Sequence, residues 1–153
     1  LKAAVQAMAD KMMETFSQRV VVNIDERGTS QLEMGKQGVI FYIIEEAVNN
    51  ARKHAAAEAI TVNLRQIEPG VIFLEIVDNG VGFDVKAISE LYDKRVNSSL
   101  GMVNLRERAE LVNGLLQIDS MPGKGTKVQV YIPLTEEAAD RLHHPRHSKS
   151  KSK

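Results

Sequence analysis

Four short segments carry side chains able to do chemistry. In the first, Glu46, Asn50, Lys53 and His54 recur at i, i+4, i+7 and i+8, which on a helix stacks a carboxylate, an amide and two bases on one stripe. The register comes from Ile40, Ile43, Ile44, Ala47, Val48 and Ala51, which together cover one broad arc, the core face. Glu46 and Asn50 fall on the border of that arc, while Glu45, Asn49 and Arg52 point away to water. Polar groups on such a border line the rim of a cleft and act together on one ligand. The plain alternative is a solvated face with an ion pair, worth about 0.2–0.5 kcal/mol.

The second segment is Asp78-Asn79-Gly80-Val81-Gly82-Phe83-Asp84, directly after a strand. Glycines at i and i+2 let backbone approach a ligand and permit positive φ. The ionised carboxylate of Asp78 only accepts hydrogen bonds, so it suits an exocyclic amino group such as that of adenine. An ordinary Asp-Asn-Gly turn is the competing reading. The third segment, Ser98-Ser99-Leu100-Gly101-Met102, opens a helix, where free N–H groups and the helix dipole favour a phosphate. Read alone, it is also a common capped start. The fourth, Gly123-Lys124-Gly125-Thr126, is a hairpin turn whose threonine can face the same cleft, or simply a Gly-rich hairpin.

The elements that must position these groups are legible around them. Leu1 to about residue 16 repeats Leu1, Val5, Met8 and Met12 at helical spacing, predicting a helix with an exposed apolar stripe that seeks a partner. Val20–Ile24 predicts a strand, Glu26–Ser30 a turn, and Gln31–Met34 a further short strand. Gly35 to Gly38 breaks the pattern before a long helix that runs to about Ala57. Strands follow at 60–67 and 71–77, joined by Glu68-Pro69-Gly70, then at 115–120 and 127–132 around Pro122-Gly123-Lys124-Gly125. Between them, 101–113 predicts a second helix ended by Gly114, and 85–99 a polar connector. Hairpin-length turns between neighbours argue for an α/β sandwich: a mixed, mostly antiparallel sheet covered on one face by helices.

Composition narrows the function classes. The chain has 153 residues, 43% hydrophobic and 26% charged, which fits one globular domain and excludes wholesale disorder. It has no cysteine, hence no disulfide framework or thiolate metal site, in keeping with a cytoplasmic setting. No apolar run approaches the roughly 20 residues that span a bilayer, so no membrane contact is expected of this piece. Five of the twenty basic residues and none of the twenty acidic ones lie in 141–153, leaving residues 1–140 at net −5. An acidic body with a short basic tail argues against nucleic acid. The three tail histidines, His143, His144 and His147, read as part of a solvated, low-complexity stretch. The chain opens on Leu1 and reads as a piece of a longer protein.

Taken in order, the E-x-x-x-N helix, D-x-G-x-G after a strand, Gly at a helix start and G-x-G-T resemble the N box, G1, G2 and end box of the GHKL ATP-binding superfamily and its Bergerat fold. The runs Leu100-Gly101-Met102-Val103-Asn104-Leu105-Arg106-Glu107-Arg108-Ala109 and Asn50-Ala51-Arg52-Lys53-His54-Ala55 resemble NarL-type sensor histidine kinases in particular. The resemblance covers roughly residues 18–134. It implies ATP and Mg²⁺, with Asn50 ligating the metal that bridges the phosphates and Glu46 acting as base or polarising the attacking group. Lys53 and His54 would contact phosphates, Asp78 would take the adenine amino hydrogen, and Gly80 and Gly82 would shape that pocket. Leu100, Gly101 and Met102 would form the lid end at the phosphates, and Gly125 and Thr126 the adenine-side network.

The implied organisation is 1–17, the end of a dimerisation-region helix; 18–135, the catalytic domain; and 136–153, a disordered basic tail. The acceptor histidine of a sensor kinase is not found here: His54 lies in the N box and the other three in the tail. The implied partners are therefore the protein's own dimerisation and phosphoacceptor module, in a homodimer, and a response regulator. A stand-alone GHKL ATPase or an anti-sigma-factor-type serine kinase is the alternative, in which Glu46 would activate water or a serine hydroxyl.

Overall fold

Residues 60–64 alternate apolar and polar side chains, Ile60, Val62 and Leu64 buried and Thr61 and Asn63 only partly so, the signature of a strand with one covered face. In the computed structural model, which describes residues 1–54, 57–80 and 102–144, this strand is β2 (Ala59–Glu68) of a five-stranded sheet. Its companions are β1 (Arg19–Ile24), β3 (Val71–Asp78), β4 (Leu115–Ser120) and β5 (Thr126–Pro133), in the order β1-β2-β3-β5-β4. The β1–β2 pair is parallel and the other three pairs are antiparallel. Helices α1 (Lys2–Phe16), α3 (Met34–His54) and α4 (Met102–Leu111) pack over one face, with a single-turn α2 (Glu26–Thr29) between β1 and α3. The expected mixed, mostly antiparallel α/β sandwich is present.

One core serves all three helices. Ile40, Ile43, Ile44, Ala47, Val48 and Ala51 of α3 join Ile60, Val62, Leu64, Ile72, Leu74, Ile76, Val128, Val130 and Ile132 of the sheet. Leu105, Ala109 and Val112 bring in α4. Val5, Met8 and Met12 of α1 belong to the same cluster. The apolar stripe of α1 is thus covered by its own domain, chiefly β1 and α3, and not left exposed as its isolated periodicity suggested.

Other local expectations yield to packing and hydrogen bonding. Gln31–Met34 is not a strand: the Leu32 N–H bonds to the Thr29 carbonyl in a turn, and Met34 already begins α3. The preceding Glu26–Ser30 turn winds into α2 because Asp25 caps it, accepting from the Arg27 N–H at 3.0 Å. Gly35 and Gly38 sit inside α3, not before it. Each costs a helix about 1 kcal/mol, less than the apolar face of α3 gains by burial. The helix ends at His54, and 55–56 lie outside the described residues.

At the other end, Glu136–His143 forms helix α5 where a disordered tail was expected. Thr135 caps it through the Ala138 N–H at 3.1 Å, Ala138 and Ala139 are buried, and Arg141 donates to the Pro69 carbonyl. The small apolar pair is the anchor that a reading dominated by tail charge overlooks. Residues 145–153, the 85–99 connector and the Ser98/Ser99 cap fall outside the described residues.

Candidate functional site

The inner face of the sheet is apolar until its last row. Successive strand rows place Ile72 beside Ile132, Leu74 beside Val130 and Ile76 beside Val128. The next row pairs Ile60 with Asp78, Asp78 with Thr126, and Thr126 with Ser120. Side chains two apart on a strand share a face, so Asp78, Thr126 and Ser120 form a polar edge on the same covered side as the core.

Asp78 is 7% exposed. Burial pushes its carboxyl above the usual aspartate value, while the N–H groups of Gly80 and Thr126 donate to it and pull back part of that shift. The Gly80 N–H lies 2.8 Å from Asp78 Oδ1. The loop is held from its other side by Asn79, whose Oδ1 accepts from the Ala59 N–H at 3.1 Å. The Asn-Gly pair is therefore a clamp between β2 and β3, and it fixes where the carboxylate points.

Across from Asp78, the turn into β5 approaches unusually closely. Gly125 has φ +81°, and a Cβ built on it would overlap the Asp78 backbone carbonyl oxygen. Only glycine satisfies both conditions. Thr126 follows, its Oγ1 2.8 Å from Ser120 Oγ, and Ser120 Oγ donates to the Gly125 carbonyl at 3.1 Å. Ser120 was not among the residues expected at the site. Its signal was hairpin symmetry: it and Thr126 flank the turn 121–125 and so must pair.

The helical half of the site follows from what α3 touches. Arg108 of α4 lies 4.8 Å over the ring of Tyr42, and Tyr42 precedes Glu46 and Asn50 by one and two helical turns. Glu46 and Asn50 continue the row that begins at Tyr42, whose ring meets α4, the helix whose start carries the expected lid residues. Glu46 and Asn50 are half-buried and Lys53 is exposed. Arg52 does not extend to water: its guanidinium stacks 3.7 Å from the centroid of Phe16, the last residue of α1. Of the neighbouring polar positions, Tyr42 touches α4 and Arg52 touches α1, while Glu45, Glu46, Asn49 and Asn50 are all half-buried.

The structure brings Asp78, Gly80, Gly125 and Thr126 into direct contact and places Glu46, Asn50 and Lys53 on the C-terminal half of α3. His54 ends that helix, close in sequence to Ile60, the register partner of Asp78. Met102 begins α4; Gly82, Leu100 and Gly101 lie outside the described residues. Among the described residues no group of three or more His, Asp or Glu side chains could hold a metal alone. An ion here would need oxygens from a ligand, which is how Mg²⁺ binds phosphates beside one or two protein groups. No helix among the described residues is long and apolar enough to cross a membrane.

Residues 35–136 match the family described as histidine kinase-, DNA gyrase B- and HSP90-like ATPase. A sensor-like histidine kinase of Chloroflexus aurantiacus is 35% identical over 136 residues, 88% of this chain and 22% of that protein. The histidine-protein kinase/phosphatase DegS of Bacillus subtilis is 38% identical over 111 residues, 72% of this chain and 26% of DegS. The B. subtilis sensor histidine kinase YdfH is 30% identical over 140 residues, 92% of this chain and 33% of YdfH. The chain thus spans a third or less of these relatives. In fold it is similar to the blue-light activated histidine kinase of Erythrobacter litoralis EL346, with TM-score 0.71 at 19% identity, over 90% of this chain and 42% of that one.

Proposed function

The chain belongs to the histidine kinase-, DNA gyrase B- and HSP90-like ATPase family, and on that premise we propose that it is the ATP-binding catalytic domain of a NarL-type sensor histidine kinase. The carrying observation is the buried Asp78 carboxylate, held by two backbone N–H groups and locked against Gly125. A carboxylate fixed at the polar edge of an apolar sheet face accepts from an adenine amino group while the apolar neighbours exclude water. Gly80 and Gly82 keep the approach open, and Thr126 completes the adenine side. The row that begins at Tyr42 takes the other end of the nucleotide, with Lys53 and His54 at the phosphates and Leu100, Gly101 and Met102 as the lid end.

An amide oxygen from Asn50 suits Mg²⁺, which prefers oxygen donors and borrows the rest from phosphates and water. When bound, the ion would neutralise charge spread over the phosphate oxygens. Phosphoryl transfer asks the protein mainly to position and to stabilise charge. Glu46, one turn before Asn50, would take the proton of the attacking imidazole. The bond from the γ-phosphorus to its bridging oxygen breaks, ADP leaves, and a nitrogen–phosphorus bond forms on a histidine outside this chain. The partners are accordingly the protein's own dimerisation and phosphoacceptor module, of which residues 1–17 would be the last turns, and a response regulator, in the cytoplasm. The names of the three relatives support this reading over a free-standing ATPase or serine kinase.

The test supplies the full-length protein, or this domain with a separate dimerisation module, and measures phosphate incorporated from ATP. Acid-labile, alkali-stable label is expected, as for a phosphohistidine, and Asn50→Ala should abolish it with the circular dichroism spectrum intact. Acid-stable label or plain hydrolysis would move the assignment to the serine-kinase or ATPase class.

A further inference from the structure

We propose that Ser120 is a positioning residue that fixes the direction of the Thr126 hydroxyl proton and so sets the preference for a 6-amino over a 6-oxo purine. The proposal rests on the ATP-binding reading and adds a specificity device to it. Ser120 Oγ lies 3.1 Å from the Gly125 carbonyl oxygen, which can only accept, so the single hydroxyl proton of Ser120 is donated there. Ser120 Oγ also lies 2.8 Å from Thr126 Oγ1. Either hydroxyl could donate across that contact; with the Ser120 proton on the Gly125 carbonyl, the donor is Thr126. Thr126 therefore gives its proton to Ser120 and presents lone pairs alone to any other partner.

Two further features hold this arrangement. Ser120 is 9% exposed, so bulk water has little access to compete for its proton. The Gly125 carbonyl cannot turn away, because the residue's left-handed backbone is wedged against the Asp78 carbonyl. Thr126 is the register partner of Asp78, whose ionised carboxylate is likewise an acceptor. The site edge then offers an incoming base two side-chain acceptors in one row. An amino group supplies hydrogens to such a row; a carbonyl oxygen meets it with lone pairs against lone pairs, and an unmade buried hydrogen bond costs more than a made one gains.

The experiment measures equilibrium binding of Mg-ATP and of Mg-inosine triphosphate, its 6-oxo counterpart, to the wild-type domain and to Ser120→Ala, Ser120→Thr and Thr126→Val. The wild type should prefer ATP. Ser120→Ala frees the Thr126 proton to rotate toward the base, and the preference should narrow by about three- to tenfold, the worth of one neutral hydrogen bond. Ser120→Thr keeps a hydroxyl at that position and should keep most of the preference. Thr126→Val removes the hydroxyl in question and should narrow the ratio whether or not Ser120→Ala folds. A merely structural serine would weaken both nucleotides equally and leave the ratio unchanged, which would overturn the proposal. So would a Thr126→Val ratio equal to wild type. A folded wild type that binds neither nucleotide would overturn the ATP reading itself, and the relay with it.

Discussion

Replacing Gly125 and, separately, Gly123 with alanine separates backbone strain from collision, because the two glycines share a conformation and differ in surroundings. Gly123 has φ +80° with nothing within 4 Å of a built Cβ; Gly125 has φ +81° with the Asp78 carbonyl inside van der Waals contact. Placing a side chain in the left-handed region costs about 1–2 kcal/mol at either position. Gly123→Ala should lose only that. In Gly125→Ala, β5 must also withdraw from Asp78, straining the Thr126 N–H bond to the carboxylate and the Ser120 bond to the Gly125 carbonyl. Each buried group left unpaired adds about 1–3 kcal/mol, for a total of about 3–8 kcal/mol. Urea unfolding followed by circular dichroism reads the stabilities, and Mg-ATP titration of the folded variants reads the site. Gly123→Ala should bind as wild type, and Gly125→Ala should bind poorly or not at all. Equal losses in the two variants, with equal ATP binding, would refute the claim that the turn is wedged against Asp78.

Two further outcomes follow from burial. Asp78 titrates above its ordinary value in the fold because it is desolvated, so the folded state holds that proton more tightly than the unfolded chain. The contribution of protonated Asp78 is present below the unfolded value and is lost as pH rises through the folded one. Relative to wild type, Asp78→Asn should therefore gain stability as pH rises from the ordinary aspartate value through the raised folded one. Paired urea titrations check this, and a constant difference across that range would count against a desolvated carboxylate. Val5 of α1 is fully buried, and Val5→Ala should cost about 2 kcal/mol through lost burial and the cavity left behind. A loss below about 0.5 kcal/mol in the same assay would mean that α1 is not part of the core.

Much of this architecture was readable from residue order because its signals are local. The alternation at 60–64, the Pro-Gly turn at 69–70 and the apolar arc of α3 each report on neighbours within one element. The Asp78 and Gly125–Thr126 halves of the site were readable separately, as a carboxylate between strand and glycines and as a Gly-rich turn. What residue order did not supply was the contact between them, since β3 and β5 pair across a long stretch of chain. The same holds for Ser120, whose role depends on a neighbouring strand. It holds for Arg52 too: helical periodicity aims it at water, while Phe16 of another helix takes it as a stacking partner. The apolar stripe of α1 was visible but its occupant was not, because amphipathicity says that a face is covered and not by what. Helix α5 was hidden by composition, its charges outweighing the two alanines that anchor it.

The central claim is that the polar edge built on Asp78 is an adenine site. Calorimetric titration of the domain with Mg-ATP, with Mg-GTP as control and Asp78→Asn as the variant, tests it most directly. The account predicts saturable one-to-one binding of Mg-ATP, none of Mg-GTP at the same concentrations, and loss of ATP binding in a folded Asp78→Asn protein. Undiminished ATP binding by that variant, or equal binding of the two nucleotides by the wild type, would contradict it.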